Sequence, residues 1–318
     1  MATIQIKNWD TQEVIFEYDG TIKEAVEEAV KQDINLEWAN LEGADLNGVC
    51  LNYASLRYAD LHKANLEDAD LYNTDLRGTN IEDADLKGAN LERANLYRAS
   101  LYNANLEGAD LSGANFESAN LFHANLISAN LNGTCLNGAK LIGAFLRDAY
   151  LSGADLSDVS LLFADLRGAN FKGADLRDAY LYGADLREAN LEGAKFFNAD
   201  LSGTIGIPDG IMPLACPAEG SFVAWKKVNG KLVKLEIPTD AKRSSATTKK
   251  CRCSKAKVLA ITNLNETEMF DDVHNGKYAP LTYRVGEMAY PDSFDENRWN
   301  ECSNGIHFFM DKVDALNW

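Results

Sequence analysis

Ala39-Asn40-Leu41-Glu42-Gly43 is followed at once by Ala44-Asp45-Leu46-Asn47-Gly48, and the same metre runs without a slip from Leu36 to Leu201. A large apolar residue stands at every fifth position, giving 34 centres, and the residue two before each centre is nearly always Ala, otherwise Thr, Val or Ile. A period of five is neither the 3.6 of a helix nor the 2 of a strand, so every unit turns a corner. The Leu and Ala of each unit face inward and the other three residues face water. Gly, Asn and Asp between centres suit tight turns. The array is therefore a solenoid whose narrow, side-chain-filled interior leaves no room for a ligand.

In tandem, A-(D/N)-(L/F)-x-x resembles the signature of pentapeptide-repeat proteins, over all 34 units. The resemblance implies a mainly β fold, a right-handed quadrilateral β-helix with one repeat per face and four per coil. It implies about 8.5 coils and, at roughly 4.8 Å per coil, a rod about 40 Å long.

Residues 1–33 read as a cap of two strands and a helix. Thr3 to Lys7 and Glu13 to Tyr18 alternate, Thr21-Ile22-Lys23-Glu24 is a capping box, and Ile22, Ala25, Val26, Ala29 and Val30 form one apolar helical face. An open solenoid end would expose core leucines and unpaired backbone, which a cap removes. Residues 34–203 form the rod. Beyond Gly203 the metre stops, Ile205-Gly206-Ile207-Pro208-Asp209-Gly210 marks an exit, and residues 204–318 read as a small α+β domain. Its clearest element is a hairpin, Ser221 to Val228 and Lys231 to Ile237, joined by Asn229-Gly230. Further strands are expected at Lys255 to Ile261, Leu281 to Glu287 and Gly305 to Phe309, with a short helix from Asp311. Lys250-Cys251-Arg252, Ser254-Lys255-Ala256-Lys257-Val258-Leu259 and Cys302-Ser303-Asn304-Gly305-Ile306-His307-Phe308-Phe309 resemble an uncharacterised domain found behind pentapeptide arrays. That likeness implies a phage or bacterial source and brings no activity with it.

The chain is 46% hydrophobic with a net charge of −17, and no apolar run is long enough to span a membrane. Met1 to Lys7 alternates and is not read as a signal peptide. Six cysteines, at 50, 135, 216, 251, 253 and 302, do not make a disulfide framework, which points to reduced thiols and a cytoplasmic location. Cys251-x-Cys253 with Cys216, Cys302 and His307 supplies enough ligands for zinc, but there is no paired C-x-x-C and ordinary buried thiols are the better reading. His307 lies between apolar residues, as a structural histidine does. His274, in a predicted loop, has no accompanying nucleophile or Gly-rich phosphate loop. No catalytic residue, cofactor or metal is assigned, and the chain is read as a non-enzyme.

The charge is uneven. Residues 34–118 hold 15 acids against 6 bases, residues 119–203 hold 10 against 7, and residues 204–318 hold 15 of each. In the first half, Asp45, Glu67, Asp68, Asp70, Asp83, Asp85 and Glu107 lie on neighbouring coils and form a candidate acidic binding surface. Some relatives of this resemblance imitate duplex DNA and occupy DNA-binding enzymes, gyrase among them. B-DNA carries about one charge per 1.7 Å, so a rod of about 40 Å would need roughly 24 negative charges, against a net 12 here. Asp and Asn also alternate before the centres because both suit the turn, and acidity keeps a rod soluble. Relatives that inhibit gyrase dimerise through a C-terminal cap where this chain places 115 residues, so neither that dimer nor that target transfers directly.

Stacked by twenty, the outward residues after the centre run Tyr102, Phe122, Ile142, Leu162, Tyr182 on one face, with Ile127, Phe145 and Phe163 nearby. Residues 118–139 carry no charged side chain. This apolar stripe is a second candidate protein-binding surface, for a partner, a second copy or the chain's own C-terminal domain. Arg147, Arg167 and Arg187 stack on another face, close enough to Asp165 and Asp185 to form a salt-bridge ladder. Lys226, Lys227, Lys231, Lys234, Lys242, Arg243, Lys249, Lys250, Arg252, Lys255 and Lys257 form a basic run, expected to dock on the chain's own acidic rod in preference to nucleic acid. Three function classes follow: a decoy inhibitor of a DNA-binding enzyme such as a topoisomerase or nuclease, a scaffold that presents the C-terminal domain, and a metal or enzymatic C-terminal module. The first takes a protein partner, with a homodimer compatible and neither membrane nor direct nucleic-acid binding expected.

Overall fold

The structure, a computed structural model, describes residues 3–207, 216–217, 220–245, 250–275, 281–294 and 304–317, with Ser245 described in its backbone only. The chain divides into two compact units, Met1–Asp200 with Thr204–Ile207, and Leu201–Gly203 with Pro208–Trp318.

The first unit opens with β1 (Thr3–Lys7) and β2 (Val14–Asp19), an antiparallel pair, followed by α1 (Ile22–Lys31). Thr21 caps α1: its side chain accepts from the Glu24 amide while the Glu24 carboxylate accepts from the Thr21 amide, and Ala25, Val26 and Ala29 are buried beneath. These elements close the rod through backbone bonds. The Asn40 amide donates to the Lys7 carbonyl at 2.7 Å and the Trp9 amide to the Trp38 carbonyl at 2.9 Å. The Trp9 indole donates to the Tyr58 carbonyl at 2.7 Å, and Trp9, Trp38 and Tyr58 stack at 5.5 and 4.7 Å between ring centroids.

From Asn40 to Ile205 the rod is a ladder of parallel bridges between residues 20 apart, such as Asn40 with Asp60 and Asp45 with Asn65. Four turns therefore complete each coil. From Leu36 to Phe196 every corner is closed by the amide of the third residue after a centre donating to that centre's carbonyl, as Ala44 does to Leu41 at 3.1 Å. The second residue after each centre has positive φ at all 34 corners, 15 of them Gly and 19 not. Left-handed backbone costs a non-Gly residue about 1 kcal/mol, so inter-coil bonding and stacking must hold Tyr53, Lys63 or Phe163 in it. Leu and Phe centres are buried throughout, and Phe116 and Phe171 fit where Leu is usual. Where Thr replaces Ala, its buried hydroxyl finds a carbonyl: Thr74 donates to Leu51 at 2.8 Å and Thr79 to Leu56 at 2.9 Å.

The second unit contains β3 (Phe222–Val228), β4 (Lys231–Ile237), β5 (Arg243–Ser245), β6 (Lys250–Cys253), β7 (Ala256–Asn263), β8 (Asp272–His274), β9 (Thr282–Arg284), β10 (Met288–Ala289), β11 (Ile306–Phe309) and α2 (Lys312–Asn317). An antiparallel sheet runs β10-β7-β4-β3-β11-β6-β5, and β8 pairs with β9. The expected hairpin is present: Asn229 and Gly230 both have positive φ, as a type I′ turn requires. Of the expected strand from Leu281 to Glu287 only β9 forms, ending at Arg284 in a turn at Val285-Gly286 that leads to β10. Strands β5, β6 and β8 carry too little alternation to be read from sequence. The exit residues 208–210 lie outside the described residues.

Trp9→Ala removes the aromatic stack and the bond to Tyr58 at a partly exposed site. We expect about 2 kcal/mol of lost stability by chemical denaturation, roughly half the cost of a fully buried Trp. Hydrogen-exchange protection should fall first at residues 38–60 and persist near residue 120.

Candidate protein-binding surfaces

The twenty-residue register sorts outward side chains into columns that run along the rod. Positions just before each centre form the most ordered columns, because their side-chain oxygen accepts from the amide two residues on: Asn65 from Glu67 at 3.2 Å, Asp85 from Lys87 at 3.1 Å. An Asn one coil on donates to the same oxygen, Asn65 to Asp45 at 3.0 Å, Asn90 to Asp70 at 2.9 Å and Asn105 to Asp85 at 2.9 Å. Asp45, Asp70 and Asp85 are thus held in a ladder of neutral amides.

The structure distributes the seven acidic candidates around one face. Asp45 and Asp85 share a column, Glu67 and Glu107 occupy the corner that follows it, and Asp68 is Glu67's neighbour on that corner. Asp83 stands at the corner before this face, where Asn103 donates to it at 2.7 Å, and Asp70 on the face after it, where Asn52 donates to it at 2.7 Å. Five of the seven are thus brought together, with Asp83 and Asp70 at the margins. Glu107 is partly neutralised by Lys87, 3.3 Å away. Other ion pairs in this half, Arg57 with Glu37 and Arg77 with Asp75, lie on other columns.

The second half uses the same column differently. Arg147 lies 3.0 Å from Asp165, Arg167 bridges Asp165 at 2.6 Å and Asp185 at 3.7 Å, and Arg187 meets Asp185 at 2.6 Å. The expected ladder is present, and Arg177 with Asp175 at 2.7 Å adds a rung on another face. The hydrogen bond from Arg167, assisted by Arg147, holds the Asp165 carboxyl well below the usual carboxylate range, and Arg177 and Arg187 lower Asp175 and Asp185. Depressed carboxyls contribute fully above about pH 4, the unfolded value, and the contribution fades as pH falls through the lowered values.

The stripe residues share one corner of the rod. Tyr102 and Phe122 stack at 5.8 Å, the His123 ring meets Phe122 at 4.3 Å, and Phe163 meets Tyr182 edge-on at 5.5 Å. Ile127 does not join it, since it shares the corner of Glu107 and Arg147. Sequence reading passed over His123 and Tyr180. Tyr180 stands in a column otherwise filled by small or polar residues such as Ser160 and Asn120, and that exception was the available signal.

The basic run of the second unit is not one surface. Lys250 and Arg252 are buried, the Lys226 ammonium donates to the His307 carbonyl at 3.1 Å, and Lys227 donates to Leu316 at 2.7 Å. Arg243 donates to the carbonyls of Pro217, Gly220 and Pro238, and Lys255 pairs with Asp240. These cations therefore bind their own unit; Lys249 lies outside the described residues. Cys216, Cys251 and Cys253 pack in the apolar core with Phe308 and Val258. Burial pushes the Cys253 thiol up to about 12 and the Lys226 ammonium down to about 8. Cys302 lies outside the described residues, among which no three His, Cys, Asp or Glu side chains gather as a metal site. His274 is in β8, not a loop, with Nδ1 2.7 Å from the Thr282 hydroxyl. Among the described residues no helix is long and apolar enough to cross a membrane.

In an NMR titration of the aspartate carboxyls, Asp165, Asp175 and Asp185 should remain ionised below the ordinary value of about 3.9. Arg167→Gln should return Asp165 toward it.

The sequence model described as pentapeptide repeats (8 copies) matches residues 32–68, 64–101, 99–138, 134–173 and 174–205, and a family of unknown function, DUF5758, matches residues 212–315. No curated protein matches the chain. Among solved structures, HetL, a pentapeptide-repeat protein involved in heterocyst differentiation regulation in the cyanobacterium Nostoc sp. strain PCC 7120, is 32% identical over 59% of this chain and 93% of its own, with a TM-score of 0.29. QnrB1, a plasmid-mediated fluoroquinolone resistance protein, is 25% identical over 50% and 77%, with a TM-score of 0.43. Rfr23 from the cyanobacterium Cyanothece 51142 is 28% identical over 42% and 91%, with a TM-score of 0.29. The repeat match extends over more than half of the residues, and this chain belongs to the pentapeptide-repeat family.

Proposed function

We propose that this protein is a non-enzymatic binding module whose first half imitates the charge of duplex DNA and occupies the DNA site of a bacterial enzyme, a topoisomerase or a nuclease. The observation that carries this reading is the contrast between the two halves of one column. Asp45 and Asp85 accept hydrogen bonds from neutral asparagine amides, whereas Asp165 and Asp185 are cancelled by arginines. Residues 34–118 span about four coils, or roughly 20 Å, over which B-DNA would carry about 12 charges. Their net 9 negative charges reach three quarters of that density, well above the average for the whole rod. In this reading residues 1–33 close the rod, residues 34–203 carry the binding face and residues 204–318 form a separate α+β module, and the protein works in a bacterial or phage-infected cytoplasm.

Asp→Asn at 45 and 85 should preserve the ladder, because Asn already fills this position at 65, 105 and 125. Combining D45N, E67Q, D68N, D85N and E107Q should leave the melting temperature nearly unchanged. It should weaken inhibition of the target enzyme at least about tenfold, with a shallower dependence of binding on salt. Undiminished inhibition by this variant, across a panel of bacterial topoisomerases and nucleases, would overturn the proposal.

A further inference from the structure

We infer that the uncharged corner of the rod is a self-association face, on which a second copy of this chain docks antiparallel about a two-fold axis through Ile142. The corner is built from Tyr102, Phe122, Ile142, Leu162 and Tyr182, one per coil, and the exposed rings of Phe163, Tyr180 and Phe145 widen it. Tyr102 is 42% exposed, Phe145 46%, Tyr182 48%, Tyr180 53% and Phe163 63%. Half of about 200 Å² per aromatic side chain leaves on the order of 500 Å² of apolar surface from these five alone. Soluble monomers seldom leave a contiguous patch of more than a few hundred Å² uncovered.

The order of residues along the corner selects the occupant. Counted outward from Ile142, the stripe reads Phe122 and Tyr102 in one direction and Leu162 and Tyr182 in the other, a large apolar residue and then a tyrosine on both sides. A two-fold axis at Ile142 therefore sets Tyr102 against the second copy's tyrosine at 182 and Phe122 against its leucine at 162, a self-complementary contact. Charge selects the direction. A parallel pair would lay the two halves of net charge −9 side by side, whereas an antiparallel pair sets each against a half of net charge −3. Residues 118–139, without a charged side chain, sit beside the axis where the approach is closest. Two such patches bury about 1,000 Å², the lower end for a specific interface, so the dimer is reversible.

The test uses the full chain, with Cys50 and Cys135 changed to Ser. Mild oxidation should cross-link Ile142→Cys to itself. Tyr102→Cys should not self-link, but should link to Tyr182→Cys when the two variants are mixed. By sedimentation velocity the unmodified chain should pass from monomer to dimer with rising concentration, and Ile142→Lys should remain monomeric with an unchanged melting temperature. A chain that stays monomeric at all concentrations, as it would if the patch served a different protein, overturns the inference. So does an Ile142→Lys variant that still dimerises, or efficient self-linking of Tyr102→Cys, which would indicate a parallel pair. Ile142→Lys leaves the acidic face intact, so its inhibition of a DNA-binding enzyme is read separately from its association state.

Discussion

The rod depends on one set of backbone bonds: from Leu41 to Leu186 the amide of each centre donates to the carbonyl nineteen residues on, and from Trp38 to Asp178 the amide two residues after each centre does the same, at 2.6 to 3.1 Å. Together with the bridges between residues 20 apart, these bonds fix the coil at four repeats. They also hold the corner residues in left-handed backbone, which is why Trp38, Tyr58 and Arg98 stand where glycine would be easier. A corner is paid for by its neighbours, and the coils stack because every corner repeats. Large corner side chains then lie against the next coil: the ring of His123 would meet a side chain at Gly143, and that of Phe163 a side chain at Gly183, at 2.7 Å. Glycine at those two places makes room for the ring one coil below.

Fixed columns turn sequence position into surface chemistry. A carboxylate before a centre always serves its turn, but its charge depends on what the corner two residues on contributes. Where the corner residue is Arg, as at 167, 177 and 187, the carboxylate is chelated by its own repeat. Where it is Asn or Tyr, as after Asp45 and Asp70, the carboxylate accepts only from neutral donors, and after Asp85 the corner cation Lys87 turns its ammonium to Glu107. One scaffold thus carries an acidic half and a neutralised half without any change in backbone.

The rod was legible in the sequence: a metre of five sets Leu and Ala inward at successive corners, the resemblance to pentapeptide repeats supplies the four-sided coil, and the exceptions fall in register. The stripe and the arginine ladder were legible for the same reason. The asparagine ladder was not, since the identity of Asn or Asp at a turn position does not reveal that the side chain also reaches the next coil. In the second unit the Asn229-Gly230 hairpin was readable from local turn chemistry, whereas Lys250–Cys253 was not, because a strand with buried Lys and Arg has no apolar alternation. The same feature explains the misread basic run: Lys226, Arg243 and Arg252 are consumed by carbonyl and hydroxyl partners within the unit, which charge counting cannot see.

Competition with duplex DNA tests the central claim most directly. Labelled duplex bound to the target topoisomerase or nuclease is followed by fluorescence anisotropy as the full chain is added at several duplex concentrations. If the acidic half occupies the DNA site, the chain releases the duplex competitively, with the apparent Kd for DNA rising in proportion to chain concentration and the effect fading with salt. A ternary complex of enzyme, duplex and chain, or inhibition without displacement of DNA, would contradict the account.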